Sequence, residues 1–370
     1  MRNTYDALAL FSGGLDSILA VKVVEAQGRT VKCLHFHSPF MGHPDRVAHW
    51  REVYGLDIEP VDIADAYVAM LTGKPKFGFG KTLNPCVDCK ILFLRRAREL
   101  MPAYGARCII SGEVLGQRPM SQRRDVLNSI RNEADVRDVL VRPLCALRLP
   151  PTAVEEAGVL DRERLHGLSG RGRQGQLRLA EEFGLTEIPT PAGGCKLAES
   201  ASARRYWPVL RHASNPSADD FHLANAGRQY WAGPHWLIIG RNQADNALLE
   251  SKVRPGDLVF KVRGFPGPLI VGRVFPGVPW SGDVVRDAAA FAASFSPKAV
   301  REGVDVPVRL VCDGVADELT VFPARETPLG WRETVWEEAY AERKALERLE
   351  REAAQSTDVE ASMHMGQELE

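Results

Sequence analysis

The stretch Ala7-Leu-Ala-Leu-Phe-Ser-Gly-Gly-Leu-Asp-Ser17 decides the fold. Its apolar half predicts a short buried strand, and the periodic residues 18–26 predict a helix. Between them, Gly13 and Gly14 permit positive φ angles, and the N–H groups of the loop lie at a helix N-terminus. The stretch therefore predicts a strand–loop–helix turn that cradles an anion, phosphate above all. An ordinary turn that contains two glycines is the alternative.

Strand-like and helix-like segments alternate after this turn. Strands are predicted over residues 30–36, 57–63, 107–111 and 139–142, and helices over 45–54, 64–71 and 89–100. This alternation predicts an α/β domain with a doubly wound parallel sheet. Since ligands of such sheets bind beyond the C-terminal ends of the strands, we expect residues 12–16, 35–37 and 112–113 to share that edge.

At 370 residues the chain is too long for one typical domain. We expect the α/β domain to span residues 1–200, closed by a loop at 186–195. Residues 201–330 are predicted to form a smaller α+β domain, and residues 331–370 a charged helix with a disordered tail. In detail, a helical linker is expected at 199–226, a helix at 242–250, and strands at 236–241, 257–262, 269–274, 306–312 and 318–322.

The composition is that of a water-soluble globular protein, with 45% hydrophobic and 26% charged residues. A formal net charge of −1 argues against a uniformly basic nucleic-acid binder but allows a local basic face. No apolar run reaches the roughly 18 residues that a membrane span needs, and no signal-peptide pattern is present. We therefore expect a cytoplasmic protein without a membrane partner. The oligomeric state stays open, a homodimer included.

Two of the seven cysteines, Cys86 and Cys89, form a close pair after the Gly- and Pro-rich loop 73–85. The pair opens a predicted helix, whose dipole favours thiolates. Cys195 follows two glycines, which leave its thiol on an accessible turn. Three thiolates of this layout can bind an iron–sulfur cluster with one iron open. Zinc lacks a complete ligand set here; a redox pair, a nucleophile with its resolving cysteine and a structural accident remain alternatives.

Arginine supplies all the positive charge between residues 118 and 178. It clusters at Arg123-Arg124 and at Ser169-Gly-Arg-Gly-Arg173. The guanidinium fork suits phosphate recognition. A solvated helical face explains the same pattern, so both interpretations stay open.

The full string Ser12-Gly-Gly-Leu-Asp-Ser17 resembles the PP-loop of the ATP pyrophosphatases, which cleave ATP between its α- and β-phosphates. It lacks the Gly-Lys-Ser/Thr ending of a Walker A loop. Three further segments are similar to motifs of tRNA thiolation enzymes of this family, the 4-thiouridine synthase group foremost: Gly112-Glu-Val-Leu-Gly-Gln117 with Ser121-Gln122, Asn84-Pro-Cys86, and Pro191-Ala-Gly-Gly-Cys195. Together they imply an adenine nucleotide α-hydrolase-like fold over about residues 6 to 200.

The resemblance implies a role for each matching residue. The ATP phosphates would be bound by Ser12, Gly13, Gly14 and Ser17, with Asp16 near Mg²⁺ or the α-phosphate. His35 and Phe36 would border the adenosine, and Gly112 and Glu113 would close the nucleotide pocket. ATP would adenylate a uridine of tRNA, and sulfur from sulfide or a persulfide carrier would displace AMP. A 4Fe–4S cluster, held by Cys86, Cys89 and Cys195, would present that sulfur, with Asp16, Cys86 and Cys195 as the catalytic residues.

Two domains of the familiar 4-thiouridine synthases find no counterpart: the THUMP RNA-binding domain and the rhodanese module. The modified uridine and the sulfur source therefore stay open. Gly240-Arg-Asn242 with Asn246, and residues 257–260 and 264–267, are similar to the NFACT RNA-binding domain; a plain β-rich accessory domain is the alternative. Two other functions remain: an iron-free thiolase with a persulfide on Cys195 or Cys86, and a non-catalytic nucleotide- or RNA-binding scaffold.

Overall fold

The computed structural model describes residues 4–118, 120–190 and 194–367, and side chains up to residue 353. The chain divides into two compact units, Met1–Ala198 and Glu199–Glu370. We call them the N-terminal unit and the C-terminal unit.

The N-terminal unit is built on a five-stranded parallel sheet, so the predicted doubly wound α/β fold is confirmed. Its strands are β1 (Ala7–Leu10), β2 (Val31–His37), β3 (Ile58–Asp62), β4 (Cys108–Ser111) and β5 (Leu140–Val141). Their spatial order is β3-β2-β1-β4-β5. The chain runs outward from β1 to β3 and then returns to the other side of β1. The connections after β1 and β4 consequently diverge, which opens a crevice at the C-terminal edge of the sheet.

Seven α-helices surround this sheet among the described residues. They are α1 (Leu15–Glu25), α2 (Val47–Tyr54), α3 (Ala64–Thr72), α4 (Cys86–Tyr104), α5 (Arg124–Glu133), α6 (Ala153–Glu156) and α7 (Gln174–Glu182). α4 starts at Cys86, three residues before its predicted start, with Pro85 at the N-cap. The sequence pattern did not predict α5 to α7, because their apolar stripes are narrow: α5 buries only Leu127 and Ile130.

The C-terminal unit is the predicted α+β domain, built on a six-stranded antiparallel sheet of order β11-β10-β8-β9-β7-β6. Its elements are α8 (Ser200–His212), α9 (Ala218–Asn225), β6 (Arg228–Ala232), β7 (His235–Ile239), α10 (Gln243–Ser251), β8 (Leu258–Val262), β9 (Ile270–Arg273), α11 (Gly282–Ala293), α12 (Pro297–Glu302), β10 (Val306–Cys312), β11 (Val315–Val321) and α13 (Trp336–Gln367). The expected linker is thus two helices. α13 continues to Gln367, beyond the predicted end at 354, where a disordered tail was expected.

Each unit has its own apolar core. In the N-terminal unit, β1 and α1 supply fully buried side chains such as Leu8, Ile18 and Leu19. In the C-terminal unit, Phe260 and the alanine-rich α11 pack together. No described helix combines the length and the apolarity that crossing a membrane requires.

Candidate active site

The loop after β1 is braced by its two serines. Ser17 Oγ donates to the carbonyl of Gly14 at 2.7 Å, and the N–H of Gly14 donates to Ser12 Oγ at 3.4 Å. Gly13 has a φ of +78°, and a Cβ there would overlap the indole of Trp50. Only glycine therefore fits at this position without strain. The predicted phosphate loop is a preformed turn at the N-terminus of α1.

The end of β4 approaches this loop closely at Gly112. A Cβ on Gly112 would overlap the carbonyl of Asp16 and come within 2.6 Å of the backbone N of Ser17. The missing side chain therefore lets the switch point of the sheet close around the start of α1. Gly112, predicted to close the nucleotide pocket, packs against the backbone of Asp16 and Ser17 at the start of α1.

Glu113 lies in a buried ionic network. Its carboxylate accepts hydrogen bonds from Lys90, from Arg142 Nε at 2.8 Å and from Ser111 Oγ at 3.2 Å. Burial on its own would raise the pKa of Glu113, but the charges of Lys90 and Arg142 outweigh it and lower that pKa to about 2. Both carboxylate oxygens are thus engaged by protein groups, and Glu113 ties α4 to the end of β5.

A cavity of about 540 Å³ opens at the C-terminal edge of the sheet. Five of the predicted site residues line it: Ser12, Gly13, His35, Phe36 and Cys195. Gly14, Asp16, Ser17, Gly112, Glu113, Cys86 and Cys89 are not among its lining residues. The loop 186–195, expected to close the domain, contributes Glu187 to Thr190 and Gly194; its residues 191–193 lie outside the described residues.

His35 and Phe36 build one wall of this cavity. His35 Nε2 accepts the backbone N–H of His43 at 2.8 Å, so Nδ1 carries the proton and donates to the carbonyl of Phe11 at 3.0 Å. Burial lowers the pKa of His35, which keeps the ring neutral. Phe36 stacks on Phe93 with ring centroids 5.2 Å apart. His35 is therefore a positioning residue, and the aromatic faces suit a nucleobase.

Three cavity-lining residues that the sequence did not single out add charge and aromatic surface. The guanidinium of Arg46 lies 5.7 Å from the ring centroid of Trp50. Arg118 also lines the cavity. Two guanidinium groups beside the phosphate loop favour an anionic ligand.

Asp16 lies in a cluster of buried polar atoms at the start of α1. Burial raises the pKa of Asp16, and the amide of Gln176, the charge of Arg173, the amide of Gln117 and the charge of Arg118 offset part of that rise. Asp16 Oδ1, Gln117 Oε1 and Gln176 Nε2 are buried without a hydrogen-bond partner among the described residues. Oxygen atoms of this kind are the ligands that Mg²⁺ prefers, so the site fits that ion.

The three predicted ligand cysteines surround the hydroxyl group of Tyr67 on α3. Tyr67 is fully buried, and its hydroxyl lies within reach of the Cys89 thiol. Burial raises the pKa of Tyr67, and Cys89, Cys195 and Cys86 raise it further. The fold thus brings together thiols that lie more than 100 residues apart in the sequence.

Backbone contacts explain this convergence. The N–H of Leu83 donates to the carbonyl of Leu197 at 3.0 Å, and Thr82 Oγ1 donates to the carbonyl of Ala198, also at 3.0 Å. The segment just before the cysteine pair is therefore fastened to the segment just after the third cysteine. The sequence predicted a joint role for the three cysteines, which stays a prediction, and it contained no signal for this clamp or for Tyr67.

The three thiols are a donor set of the kind that binds an iron–sulfur cluster with one iron open. Among the described residues, no group of three or more His, Cys, Asp or Glu side chains is placed to hold a single metal ion. Burial, together with Cys195 and Cys86, raises the pKa of Cys89. Desolvation of Cys89 thus opposes the thiolate that the dipole of α4 favours.

Comparisons with known proteins give likenesses in structure alone. No family model and no curated protein matches the sequence. The U34-tRNA thiolase NcsA from Methanococcus maripaludis, solved with its [4Fe–4S] cluster, is 15% identical, with 52% of this chain and 61% of that chain covered, at a TM-score of 0.30. NMN synthetase from Francisella tularensis is 15% identical, with coverage of 51% and 90% and a TM-score of 0.25. The C-terminal part of a fibronectin/fibrinogen-binding protein from Streptococcus suis is 18% identical, with coverage of 46% and 80% and a TM-score of 0.23. At such scores none of them assigns an activity to this chain.

Proposed function

We propose that this protein is an ATP-dependent tRNA sulfurtransferase, which adenylates a uridine and replaces its carbonyl oxygen with sulfur. One observation carries the proposal. The cavity of about 540 Å³ is lined by the phosphate loop, through Ser12 and Gly13, and by Cys195 of the three-cysteine centre. A nucleotide bound to the loop and a sulfur held by the cysteines would therefore meet in one chamber.

The first step takes place at the phosphate loop. The uridine oxygen attacks the α-phosphorus of ATP, forms an O–P bond, and expels pyrophosphate. Loop N–H groups, Ser12 and Ser17 hold the phosphates, and Arg118 offsets their charge. Mg²⁺, when held by the oxygens of Asp16 and Gln117, supplies further neutralisation of the charge on the leaving group.

The second step takes place at the cysteines. Sulfide attacks the activated carbon of the uridine, and AMP leaves with the original oxygen. When the nucleophile is instead the terminal sulfur of a cysteine persulfide, the product is a disulfide between the carrier cysteine and the uridine sulfur, and a second cysteine thiol cleaves it, frees the thiouridine and forms a protein disulfide. Cys86, Cys89 and Cys195 would hold a 4Fe–4S cluster, which supplies an iron without a protein ligand where sulfide can bind. The wall of His35 and Phe36 excludes water that would hydrolyse the adenylate.

The C-terminal unit is, in this proposal, the part that contacts tRNA. The resemblance of residues 240–246 to the NFACT RNA-binding domain supports it, as does a local basic face. Lys261 and Arg309 are exposed cross-strand neighbours on β8 and β10. Neither forms a salt bridge within the described part of the chain. Glu318 on β11 lies opposite Arg309 on its other side, so the two cations are not an uncompensated pair; they support the proposal as exposed cations of the kind that bind RNA phosphates.

The test is a reaction with unmodified tRNA, ATP, Mg²⁺ and sulfide under anaerobic conditions. We expect AMP and pyrophosphate to form only with tRNA, and thiouridine to be detected by nucleoside mass spectrometry. Cys86→Ala, Cys89→Ala and Cys195→Ala should each lower iron and sulfide content and abolish thiouridine. Cys312→Ala, in the C-terminal unit, is the matched control and should change neither.

Two outcomes would replace this proposal. Thiouridine formation by a preparation without iron would favour a persulfide on Cys195 or Cys86. Absence of any tRNA-dependent ATP cleavage, with nucleotide still bound, would favour a non-catalytic scaffold.

A further inference from the structure

The arginine-rich segment Ser169-Gly-Arg-Gly-Arg173 has no role in the function proposed so far, yet the fold places it beside the phosphate loop. The N–H of Gly170 donates to the carbonyl of Leu115 at 2.8 Å, and Leu115 forms a parallel β-bridge with Ser169. Gly116, with a φ of +76°, faces Gly170, whose backbone N would lie 3.6 Å from an added Cβ. The segment is thus fastened to the loop that carries Gln117.

Helix α7 continues directly from this segment and packs against α1. Gln176 lies in its first turn and is only 1% exposed. Its amide lies within reach of the Asp16 carboxylate and lowers the pKa of that group, but Nε2 forms no hydrogen bond of normal geometry among the described residues, which leaves a buried donor that a better-placed acceptor would satisfy. Asp16 Oδ1 and Gln117 Oε1, unpartnered in the same way, lie beside it. A ligand that offers acceptors to the amide, with a cation for the two oxygens, would satisfy all three groups.

The charges around this cluster identify the ligand. Arg173 acts on Asp16 more strongly than Arg118 does. Arg171, two residues earlier in the same segment, is exposed, whereas Arg173 is half-buried. A guanidinium, an amide donor and two cation-binding oxygens together suit a phosphate chain that carries a divalent cation.

We propose that Arg173 and Gln176 bind the β- and γ-phosphates of ATP, and the pyrophosphate that these become, as a second half of the site facing the phosphate loop. The inference rests on the proposed function only in taking ATP as the ligand; it does not depend on tRNA or on sulfur. Glycine is needed at position 170 because its φ is +84°, a backbone conformation that other residues rarely adopt.

Calorimetric titration of the full chain with magnesium pyrophosphate, with MgATP and with AMP tests this assignment. Arg173→Ala and Gln176→Leu should each weaken pyrophosphate and ATP binding by about 10- to 100-fold, the usual loss for a hydrogen bond to a charged group. AMP binding should not change, because AMP lacks the phosphates in question. Arg171→Ala removes an equal charge from the same segment and should leave all three affinities unchanged.

Arg173 is half-buried, so Arg173→Ala removes no core side chain. This variant still tests the assignment if Gln176→Leu fails to fold. Wild-type affinity for pyrophosphate in Arg173→Ala would overturn the assignment. So would an equal loss in Arg171→Ala, an equal loss of AMP binding, or no pyrophosphate binding by the wild-type protein. A protein that makes no thiouridine but shows the selective loss would refute the proposed function and retain this inference.

Discussion

Two strand–loop–helix turns, one in each unit, use their polar groups in opposite ways. In the C-terminal unit, β7 leads through Gly240 to Asn242 into α10. Asn242 Oδ1 accepts the N–H of Asp245 at 2.9 Å and caps the helix. Asp245 in turn accepts the backbone N–H of Arg241 at 3.1 Å and its Nε at 2.7 Å. The polar atoms of these side chains are therefore engaged in hydrogen bonds within the turn and stabilise its conformation.

In the N-terminal unit, β1 leads through Ser12 to Gly14 into α1, and this turn has a polar side-chain atom without a hydrogen-bond partner among the described residues. Gly14, at the N-cap, supplies no side-chain cap to the helix. Asp16 Oδ1 is buried without a partner among the described residues. The N-terminal turn therefore has the features of a binding site, and the C-terminal turn those of a structural motif. Both matched family motifs in the sequence, so a motif match does not by itself distinguish the two.

The largest effect is expected from disrupting the buried ionic network of Glu113, Lys90 and Arg142, which follows Gly112 at the end of β4. Glu113→Gln leaves the charges of Lys90 and Arg142 without their shared carboxylate. Removing one partner of a buried ion pair costs about 3–5 kcal/mol, so the free energy of unfolding of the N-terminal unit should fall by that amount. Urea unfolding monitored by circular dichroism measures it. A loss below about 1 kcal/mol, the value for exposed ion pairs, would show that this network does not stabilise the N-terminal unit as a buried ion pair does.

The same network predicts an acid sensitivity with a definite sign. The pKa of Glu113 is about 2 in the folded protein, against about 4.3 for an ordinary glutamate in the unfolded chain. Its contribution to stability is therefore complete above about pH 5 and is lost progressively as the pH falls through about 4 towards 2. Relative to the wild type, Glu113→Gln should show a smaller decrease in stability across this range. An identical decrease in both proteins would contradict the assignment.

Asp16→Asn tests the open turn itself. We expect ATP cleavage to fall by roughly 100- to 1000-fold, because the carboxylate that would bind the cation is lost while the shape of the side chain is kept. Pyrophosphate release in the presence of tRNA measures the effect. Asp245→Asn, near the start of α10, is the matched control and should keep full activity. Equal losses in both variants would mean that the two turns do not differ as described.

The sequence predicted those features of the fold and the site that are determined by short stretches of the chain. The apolar run before Ser12 and the two glycines after it were sufficient for the sheet edge and the loop. The cysteine pair and Cys195 were identified by residue type and by resemblance. Tyr67 was not found, because a tyrosine on an apolar helix face is typical of a core. Gln176 was missed with α7, although a glutamine three residues before the buried Leu179 is a polar residue on an apolar face.

Gly240→Ala tests whether the turn before α10 is tightly packed around Asn246. An added Cβ would overlap Asn246 Oδ1, which accepts the N–H of Leu269 at 3.3 Å. We expect a loss of about 1–3 kcal/mol, the cost of leaving that N–H unpaired. In a background of Asn246→Ala the same substitution should cost much less, since the obstructing side chain is gone. Additive costs in thermal unfolding of the double variant would refute this coupling.

Asn242→Ala has the smallest expected effect and distinguishes packing from RNA contact most directly. Loss of a helix cap costs about 1 kcal/mol, so the stability of the C-terminal unit should fall slightly. Affinity for tRNA, measured by filter binding at fixed salt well below the unfolding transition, should not change. Lys261→Ala with Arg309→Ala should instead lower that affinity and flatten its salt dependence. If Asn242→Ala lowered tRNA affinity in the folded protein, the Gly-Arg-Asn segment would be a contact surface, and the two turns would both be binding sites.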